Sequence, residues 1–272
     1  MEPIFLINGV AGNHVPVTDR GLNYGDGLFE TIKISAGAIQ YWQQHMARLQ
    51  RGCERLRIPP PDITLLHTEA SQLINQYCAG ANAVLKIIIT RGSGQRGYKP
   101  PRSVMPTRIV AILPFPDYPN SFKNLGVKIT ICETRLASNP RLAGIKHLNR
   151  LEQVLASGEW EDHDIVDGIM LDNDMHVIEG TGSNLFWVYQ GRLYTPSLME
   201  CGIEGILRDR VLQLAEKLQI TVMIGRYFIE DLLSADEVFI TNSIRGIWPV
   251  RQIDHNSFKP GPLTQQLMDA IQ

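Results

Sequence analysis

A proline-rich segment near the middle of the chain limits what this sequence can fold into. Three prolines stand within six consecutive positions of the segment 114–120. Proline fixes φ and removes a backbone donor, so this segment forms neither a helix nor a central strand. We therefore predict a linker at 114–120, between a smaller N-terminal α/β domain over 1–113 and a larger C-terminal domain over 121–272.

Strand and helix patterns alternate on both sides of this linker. Apolar residues recur in steps of three and four from Trp42, which predicts a helix. A helix is also expected to begin near Lys146, with Leu148, Leu151 and Leu155 on one face. The other predicted elements are a first strand ending at Asn8-Gly9, a strand at 28–34, a helix at 63–77, strands at 83–90, 108–113 and 127–131, hairpins at 168–179 and 185–195, a helix at 206–218 and a strand at 237–241. This mixture predicts an α+β fold with mixed and antiparallel sheets, rather than a doubly wound parallel sheet.

Charge and cysteine content argue against several classes of protein. The net charge is −2, so no overall field favours nucleic acid or an anionic membrane. No apolar run approaches the roughly 20 residues that span a bilayer. The four cysteines are widely separated and form no CxxC pair, which indicates reduced thiols in a cytoplasmic protein and no metal site. The opening residues lack the features of a signal peptide.

Four short segments of the second half carry residues that could do chemistry. Lys146 stands two residues after Gly144 and has His147 and Arg150 nearby. These two potential cations could lower its pKa, although a solvated basic helix start has the same pattern. Glu179 ends a predicted strand and would need a cationic partner to be more than a turn residue. The segment 202–208 is a glycine turn that leads into a helix, where unpaired N–H groups can hold a phosphate. Small polar residues at 241–243 could contact the same phosphate or form a plain polar turn.

Two arginine-containing segments of the first half are further candidates. Arg48 lies on the helix that begins near Trp42, where a surface ion pair is the ordinary role of an arginine. The glycine-rich loop 91–98 is not a Walker A motif, because no Gly-Lys-Ser/Thr follows it. Arginines on a mobile loop nevertheless suit a substrate that carries carboxylates.

Taken in order, these segments resemble the fold-type IV pyridoxal-phosphate enzymes, the class-IV aminotransferase-like family, along nearly the whole chain. The segments 19–21 and 24–30 are similar to the family's N-terminal signature. The resemblance implies the two-domain fold of D-amino-acid aminotransferase and pyridoxal 5′-phosphate as cofactor. It implies that Lys146 is the catalytic lysine that binds the cofactor covalently and that Glu179 contacts the pyridine nitrogen. The implied phosphate ligands are Arg48, Ile206, Leu207, Thr241 and Asn242.

Within this family, the segments 143–155 and 91–98 are similar to those of the aminodeoxychorismate lyases. Branched-chain aminotransferases have a tyrosine at the position of Leu151, which hydrogen-bonds the ring oxygen of the cofactor; Asn149 is the candidate for that contact here. D-amino-acid aminotransferase has a tyrosine at the position of Phe29. Both differences favour the lyase over an aminotransferase.

The resemblance therefore implies a lyase that converts 4-amino-4-deoxychorismate to 4-aminobenzoate and pyruvate, a step towards folate. Arg96, and with it Arg91 and Tyr98, would meet the carboxylates of this small-molecule substrate. A homodimer is also implied. An aminotransferase acting on a D- or branched-chain amino acid is the alternative, and nitrogen exchange between an amino acid and a keto acid would reveal it. A non-catalytic binding protein of the same fold is the other alternative, and failure to bind pyridoxal phosphate would favour it.

Overall fold

The structure is a computed structural model that describes residues 4–78 and 80–271. The chain forms two compact units. Unit 1 comprises Met1–Asp117 and Ile145–Asn149, and unit 2 comprises Tyr118–Gly144 and Arg150–Gln272. The first change of unit falls between Asp117 and Tyr118, while the short segment that contains Lys146 belongs to unit 1.

Unit 1 is an antiparallel sheet with two long helices. Its elements are β1 (Ile4–Ile7), β2 (Val10–Ala11), α1 (Arg20–Tyr24), β3 (Gly27–Ser35), β4 (Ala38–Ile39), α2 (Trp42–Leu56), α3 (Ile63–Tyr77), β5 (Ala83–Thr90) and β6 (Thr107–Pro114). The six strands follow the order β2-β1-β6-β5-β3-β4, and every pair is antiparallel. Helix α2 packs against β3, and α3 packs against β6.

The residue patterns of unit 1 explain these elements. Strand β3 alternates, with every second residue from Leu28 to Ile34 buried, as expected for a strand that has one face against helices. The predicted helices at Trp42 and Ile63 are confirmed, and Asp62 caps α3 by accepting hydrogen bonds from the N–H groups of Thr64 and Leu65. The strands predicted at 28–34, 83–90 and 108–113 are confirmed as β3, β5 and β6.

Unit 2 is built on a mixed sheet of nine strands. Its elements are α4 (Ser121–Asn124), β7 (Val127–Leu136), α5 (Leu151–Ser157), β8 (Ile165–Asp172), β9 (Val177–Gly180), β10 (Asn184–Tyr189), β11 (Arg192–Pro196), α6 (Ile206–Lys217), β12 (Val222–Gly225), α7 (Ile229–Leu233), β13 (Glu237–Asn242), β14 (Gly246–Ile253), β15 (Asn256–Ser257) and α8 (Pro262–Ala270). The order is β12-β11-β10-β13-β14-β7-β8-β9, with β15 beside β14. Three neighbouring pairs are parallel, namely β11 with β12, β14 with β7, and β7 with β8. The other pairs are antiparallel, so the predicted α+β class with mixed and antiparallel sheets is confirmed.

The sheet of unit 2 is buried on both faces. Along β10, Leu185 and Trp187 belong to one apolar cluster, and Phe186 and Val188 belong to another. Successive strand residues point to opposite faces, so apolar side chains cover both sides of this strand. The second cluster also contains residues of α6 and α8. Strand β10 is therefore a firmly held central element, and its first residue, Asn184, is important for the site described below.

The predicted start of a helix near Lys146 is wrong, since the helix of this region begins five residues later. Residues 145–149 are not helical, and α5 begins only at Leu151. The leucines that suggested a helix face do not form a buried one, since Leu151 is 76% exposed and Leu155 is 64% exposed. The backbone of this segment instead bonds to β3, a long-range pairing that the local spacing of leucines does not reveal.

All four cysteines are buried and free. Burial raises the pKa of each thiol, to about 12 for three of them, so the thiols stay protonated. Within residues 4–78 and 80–271, no helix is both long and apolar enough to cross a bilayer.

Candidate active site

Lys146 is fixed through its backbone to the first residues of β3. The Phe29 N–H donates to the Lys146 carbonyl at 3.0 Å, and the Leu148 N–H donates to the Gly27 carbonyl at 3.0 Å. Gly27 permits this close approach, because a Cβ there would lie 2.8 Å from Cδ1 of Leu148 and, on the side of β5, 2.5 Å from the Ile89 carbonyl oxygen. The lysine thus sits on an extended segment that pairs with the start of β3, which restricts where its amine can reach.

The Lys146 amine lies against an aromatic ring. Its Nζ is 4.5 Å from the centroid of the Phe29 ring, and Nζ of Lys86 is 5.7 Å from the same centroid. Such contacts stabilise a cation modestly through the electron-rich face of the ring. Phe29 therefore presents an apolar surface, with no hydroxyl, beside the amine.

A buried ion pair lies on the opposite face of β3. Glu30 neighbours Phe29 and so points the other way, towards α2. Its carboxylate accepts hydrogen bonds from Arg48 Nε at 2.9 Å and Arg48 Nη2 at 2.5 Å, and it contacts Nδ1 of His45 at 2.6 Å. All three side chains are at most 5% exposed. The guanidinium of Arg48 is therefore held in a fixed plane.

The protonation states of this cluster follow from its charges. Burial alone would raise the pKa of the Glu30 carboxyl, but Arg48 and His45 outweigh it and hold that pKa at about 2. Burial lowers the pKa of His45 and outweighs the opposing effect of Glu30. Glu30 is thus charged and His45 neutral at neutral pH. A neutral His45 that donates from Nδ1 to the carboxylate leaves Nε2 as an acceptor, and this buried atom has no hydrogen-bond partner among the described residues.

Arg91 is engaged within unit 1 in a way the sequence did not suggest. It makes four hydrogen bonds, two to the Asp26 carboxylate at 2.7 and 3.0 Å and one each to the carbonyls of Leu56 and Arg57 at 2.7 and 2.8 Å. Arginine has five N–H donors, so one is left, and the side chain is only 5% exposed. These contacts argue against a role of Arg91 in holding substrate carboxylates and favour a structural one.

The loop that contains Arg96 and Tyr98 is anchored by Arg20. The Arg20 guanidinium donates to the carbonyls of Gly97 and Tyr98 at 2.9 and 2.8 Å and also pairs with Asp26. Tyr98 is 85% exposed and packs edge-on against Tyr24, with ring centroids 5.4 Å apart. A cavity of about 540 Å³ opens in this loop, and its lining residues are Ser93, Gly94, Gln95, Arg96, Lys99, Pro100, Pro101 and Arg102. Three of these residues are cationic, so the cavity suits an anionic group.

Asn149 serves a neighbouring turn in the structure. Its Nδ2 donates to the Gly25 carbonyl at 3.1 Å. A Cβ on Gly25 would lie 2.7 Å from Oδ1 of Asn149, and φ of Gly25 is +64°, so the turn depends on glycine. Asn149 thereby fixes the turn that precedes β3. Its contact with a cofactor stays a prediction.

In unit 2, Glu179 is a buried carboxylate on β9. It is 3% exposed, and its Oε2 accepts a hydrogen bond from the Ile203 N–H at 2.8 Å. A Cβ on Gly202 would lie 3.4 Å from its carboxyl carbon, so the turn before α6 passes close to it. A carboxylate at this buried position is a suitable partner for a protonated ring nitrogen, because an ionised carboxylate favours the charged form of a nearby base.

The start of α6 is open to an anion. Its N-cap residue is Gly205, which offers no side-chain hydrogen bond. The first N–H groups of a helix have no partner within it, and the helix dipole favours negative charge there. Ile206 and Leu207 are the first two helical residues, and their side chains are buried, so only their backbone N–H groups are available to a ligand.

Asn184, which sequence reasoning missed, connects this helix start to β13. Its Nδ2 donates to the Ile203 carbonyl at 2.8 Å, and a Cβ on Gly205 would lie 2.0 Å from its Oδ1. Asn184 pairs directly with Thr241, so the two side chains lie on one face of the sheet. The Thr241 hydroxyl is buried and has no hydrogen-bond partner within the described residues. An unsatisfied buried hydroxyl beside an uncapped helix start fits a bound phosphate.

Asn242 shapes the turn that follows Thr241. Its Oδ1 accepts hydrogen bonds from the N–H groups of Ile244 and Arg245 at 3.0 and 2.7 Å, and its Nδ2 donates to the Gly182 carbonyl at 3.0 Å. The side chain therefore organises two turns of unit 2. A phosphate contact of Asn242 stays a prediction.

The chain is similar to known proteins along nearly its whole length. Residues 27–253 match the family described as amino-transferase class IV. An aminodeoxychorismate lyase of Vibrio harveyi is 39% identical over 97% of this chain and 98% of that protein. A crystal structure of 4-amino-4-deoxychorismate lyase from Pseudomonas aeruginosa is 44% identical, covers 97% of each chain and has a TM-score of 0.92. The Escherichia coli branched-chain amino acid aminotransferase is 28% identical, with a TM-score of 0.89 over 98% of this chain and 92% of that one. By its matched residues and these relatives, the chain belongs to the class IV aminotransferase family.

Proposed function

We propose that this chain is a pyridoxal-phosphate-dependent lyase that converts 4-amino-4-deoxychorismate to 4-aminobenzoate and pyruvate. The observation that carries the proposal is the Lys146 amine held 4.5 Å from the centroid of the Phe29 ring. D-amino-acid aminotransferase has a tyrosine at this position, so the missing hydroxyl favours the lyase. The lyases that are 39% and 44% identical over nearly the whole chain support the same choice.

The donors of the chain fit the cofactor. We assign its phosphate to Arg48, to the N–H groups of Ile206 and Leu207, and to the turn at Thr241 and Asn242. Two hydrogen bonds to Glu30 hold the Arg48 guanidinium in place. The Thr241 hydroxyl and the start of α6 supply neutral donors. Glu179 would hold a proton on the ring nitrogen, because an ionised partner favours the charged form of that nitrogen.

Lys146 has two tasks in this proposal. When bound, pyridoxal phosphate supplies a ring that accepts the electron pair of a broken C–H bond. The Lys146 amine takes the proton from the substrate carbon that bears nitrogen. It then donates a proton to the departing enolpyruvate, which becomes pyruvate. Loss of both groups makes the substrate ring aromatic, which drives the reaction forward.

The substrate carries two carboxylates, and unit 1 offers cations for them. We assign Arg96 to one carboxylate, with Tyr98 beside it on the same loop. Arg91 is left out of this assignment because its hydrogen bonds lie within unit 1. We further propose that the protein works as a homodimer in the cytoplasm, where its four free thiols would stay reduced.

A product assay tests the proposed reaction. The purified protein, loaded with pyridoxal phosphate, is mixed with 4-amino-4-deoxychorismate, and 4-aminobenzoate and pyruvate are measured. We expect equal amounts of the two from wild type and none from Lys146→Ala. Lys33→Ala is the matched control, because Nζ of Lys33 also lies near a phenylalanine ring of unit 1, 5.7 Å from the centroid of Phe115. This variant should keep its activity. Nitrogen exchange between an amino acid and a keto acid, without 4-aminobenzoate, would instead identify an aminotransferase.

A further inference from the structure

Asp167 joins two turns of unit 2 that flank the proposed phosphate ligands. It lies on β8 and is 1% exposed. Its Oδ1 accepts hydrogen bonds from the Thr181 hydroxyl at 2.7 Å, from the Gly182 N–H at 3.2 Å and from the Gly168 N–H at 3.0 Å. Its Oδ2 pairs with Arg245 Nη1 at 2.9 Å. One carboxylate therefore holds the turn before β10 and the turn after β13.

Arg245 is itself fixed on its other side. Its guanidinium carbon lies 5.2 Å from the centroid of the Trp248 ring and 6.0 Å from that of Tyr118. The Arg245 N–H donates to Asn242, whose Nδ2 in turn donates to the Gly182 carbonyl. The two turns are thus joined twice, by the ion pair and by Asn242.

We propose that Asp167 and Arg245 are positioning residues that set the affinity for the phosphate of pyridoxal phosphate. They act through the turns at 181–183 and 242–245, which lie next to the directly paired residues Asn184 and Thr241. Glu179 is held differently, by its strand pairing with Met170 and by the Ile203 N–H. Loss of the ion pair should therefore affect the phosphate side of the cofactor more than the ring side. This inference rests on the proposed function.

The test compares pyridoxal phosphate with pyridoxal, which lacks the phosphate. Apo forms of wild type, Asp167→Asn and Arg245→Met are titrated with both compounds, and their thermal midpoints are recorded. Asparagine keeps the size of Asp167 but removes its charge, and Arg245→Met removes the partner at a less buried position. The matched control is Glu237→Gln, another buried carboxylate of unit 2, which accepts N–H hydrogen bonds from Leu263 and Thr264 at the start of α8.

The expected result is specific to the phosphate. Both variants should bind pyridoxal phosphate roughly 10- to 100-fold more weakly, the range for losing hydrogen bonds to a charged group. Their affinity for pyridoxal should change less than about threefold. The double variant should bind pyridoxal phosphate no more weakly than the weaker-binding of the two single variants. Glu237→Gln should bind both compounds like wild type, whatever its thermal midpoint.

Two results would overturn the inference, and a third concerns the function. Equal loss of affinity for both compounds, in step with a lower thermal midpoint, would mean that the ion pair only stabilises unit 2. Unchanged affinity for pyridoxal phosphate would mean that the turns keep their positions without the ion pair. If the wild-type protein binds no pyridoxal phosphate at all, the proposed function is wrong, and the inference, which depends on it, is wrong as well.

Discussion

Replacing Glu30 by glutamine should destabilise the protein strongly. Glu30 is 1% exposed and accepts hydrogen bonds from two nitrogens of Arg48, with His45 as a third contact. Glutamine keeps one acceptor oxygen, but it places an NH₂ group where the second oxygen of Glu30 accepts a hydrogen bond. The buried guanidinium of Arg48 would then lose the negative charge of Glu30, and removing one partner of a buried ion pair is strongly destabilising.

The size of this effect follows from the pKa of Glu30. Its neighbours hold that pKa at about 2 instead of the ordinary 4.5. Each pKa unit corresponds to about 1.4 kcal/mol, so the surroundings favour the charged form of Glu30 by about 3 kcal/mol. Removing one partner of a buried pair costs about 3–5 kcal/mol in other proteins, which agrees. For a chain of this size, about 3 kcal/mol lowers the thermal midpoint by roughly 6–12 °C.

The assay is urea unfolding of the apo protein, followed by tryptophan fluorescence at several pH values. Because the folded-state pKa is lowered, Glu30 stabilises the protein above about pH 4.5 and loses this effect as the pH falls towards 2. The difference in free energy of unfolding between wild type and Glu30→Gln should reach its maximum at neutral pH. At about pH 3, less than half of this difference should remain. The control is Glu54→Gln, an exposed position of α2, which should stay within about 0.5 kcal/mol of wild type. A cost below about 1 kcal/mol at neutral pH would refute the reasoning.

Three further predictions concern single residues and the thiols. Arg96→Ala should raise KM for 4-amino-4-deoxychorismate at an unchanged thermal midpoint. Arg91→Ala should instead lower the thermal midpoint, because four partly buried hydrogen bonds are lost. A raised KM in Arg91→Ala together with a lowered midpoint in Arg96→Ala would exchange the two roles. Gly205→Ala should weaken binding of pyridoxal phosphate, measured by titration, because its Cβ would lie 2.0 Å from the Asn184 amide oxygen; wild-type affinity would show that Asn184 can move freely. Native protein should react slowly with a thiol reagent and quickly in urea, since all four cysteines are buried; fast native labelling would contradict that burial.

The sequence predicted those elements whose pattern is local. The helices α2 and α3 have regular apolar spacing, and three consecutive prolines at 59–61, followed by Asp62, mark the boundary between them. The apolar runs of β5 and β6 could be recognised for the same reason. The parallel neighbours β14, β7 and β8 are far apart in the chain, and nothing in their own residues specifies that order.

The roles proposed for the candidate site residues came from the resemblance, because the patterns around Lys146, Glu179 and Arg48 also had ordinary structural interpretations. The spacing of leucines after Lys146 is typical of a helix, but the backbone hydrogen bonds of residues 146–148 to β3 determine the conformation of that segment. Glu30 could have been noticed, because an acidic residue in the buried phase of an alternating strand needs a partner, and His45 and Arg48 stand three apart on the helix that packs there. Asp167 and Asn184 carry no such signal, since their partners lie in distant segments.

The most direct test of the central claim is to find which lysine binds the cofactor. Wild-type protein loaded with pyridoxal phosphate is reduced with borohydride, which makes the bond between lysine and cofactor permanent, and is then digested and analysed by mass spectrometry. We expect one modified peptide, carrying the cofactor on Lys146, and no modification of that peptide in Lys146→Ala. Stoichiometric modification of another lysine, such as Lys86 beside the same phenylalanine ring, or no modification at all, would contradict the account.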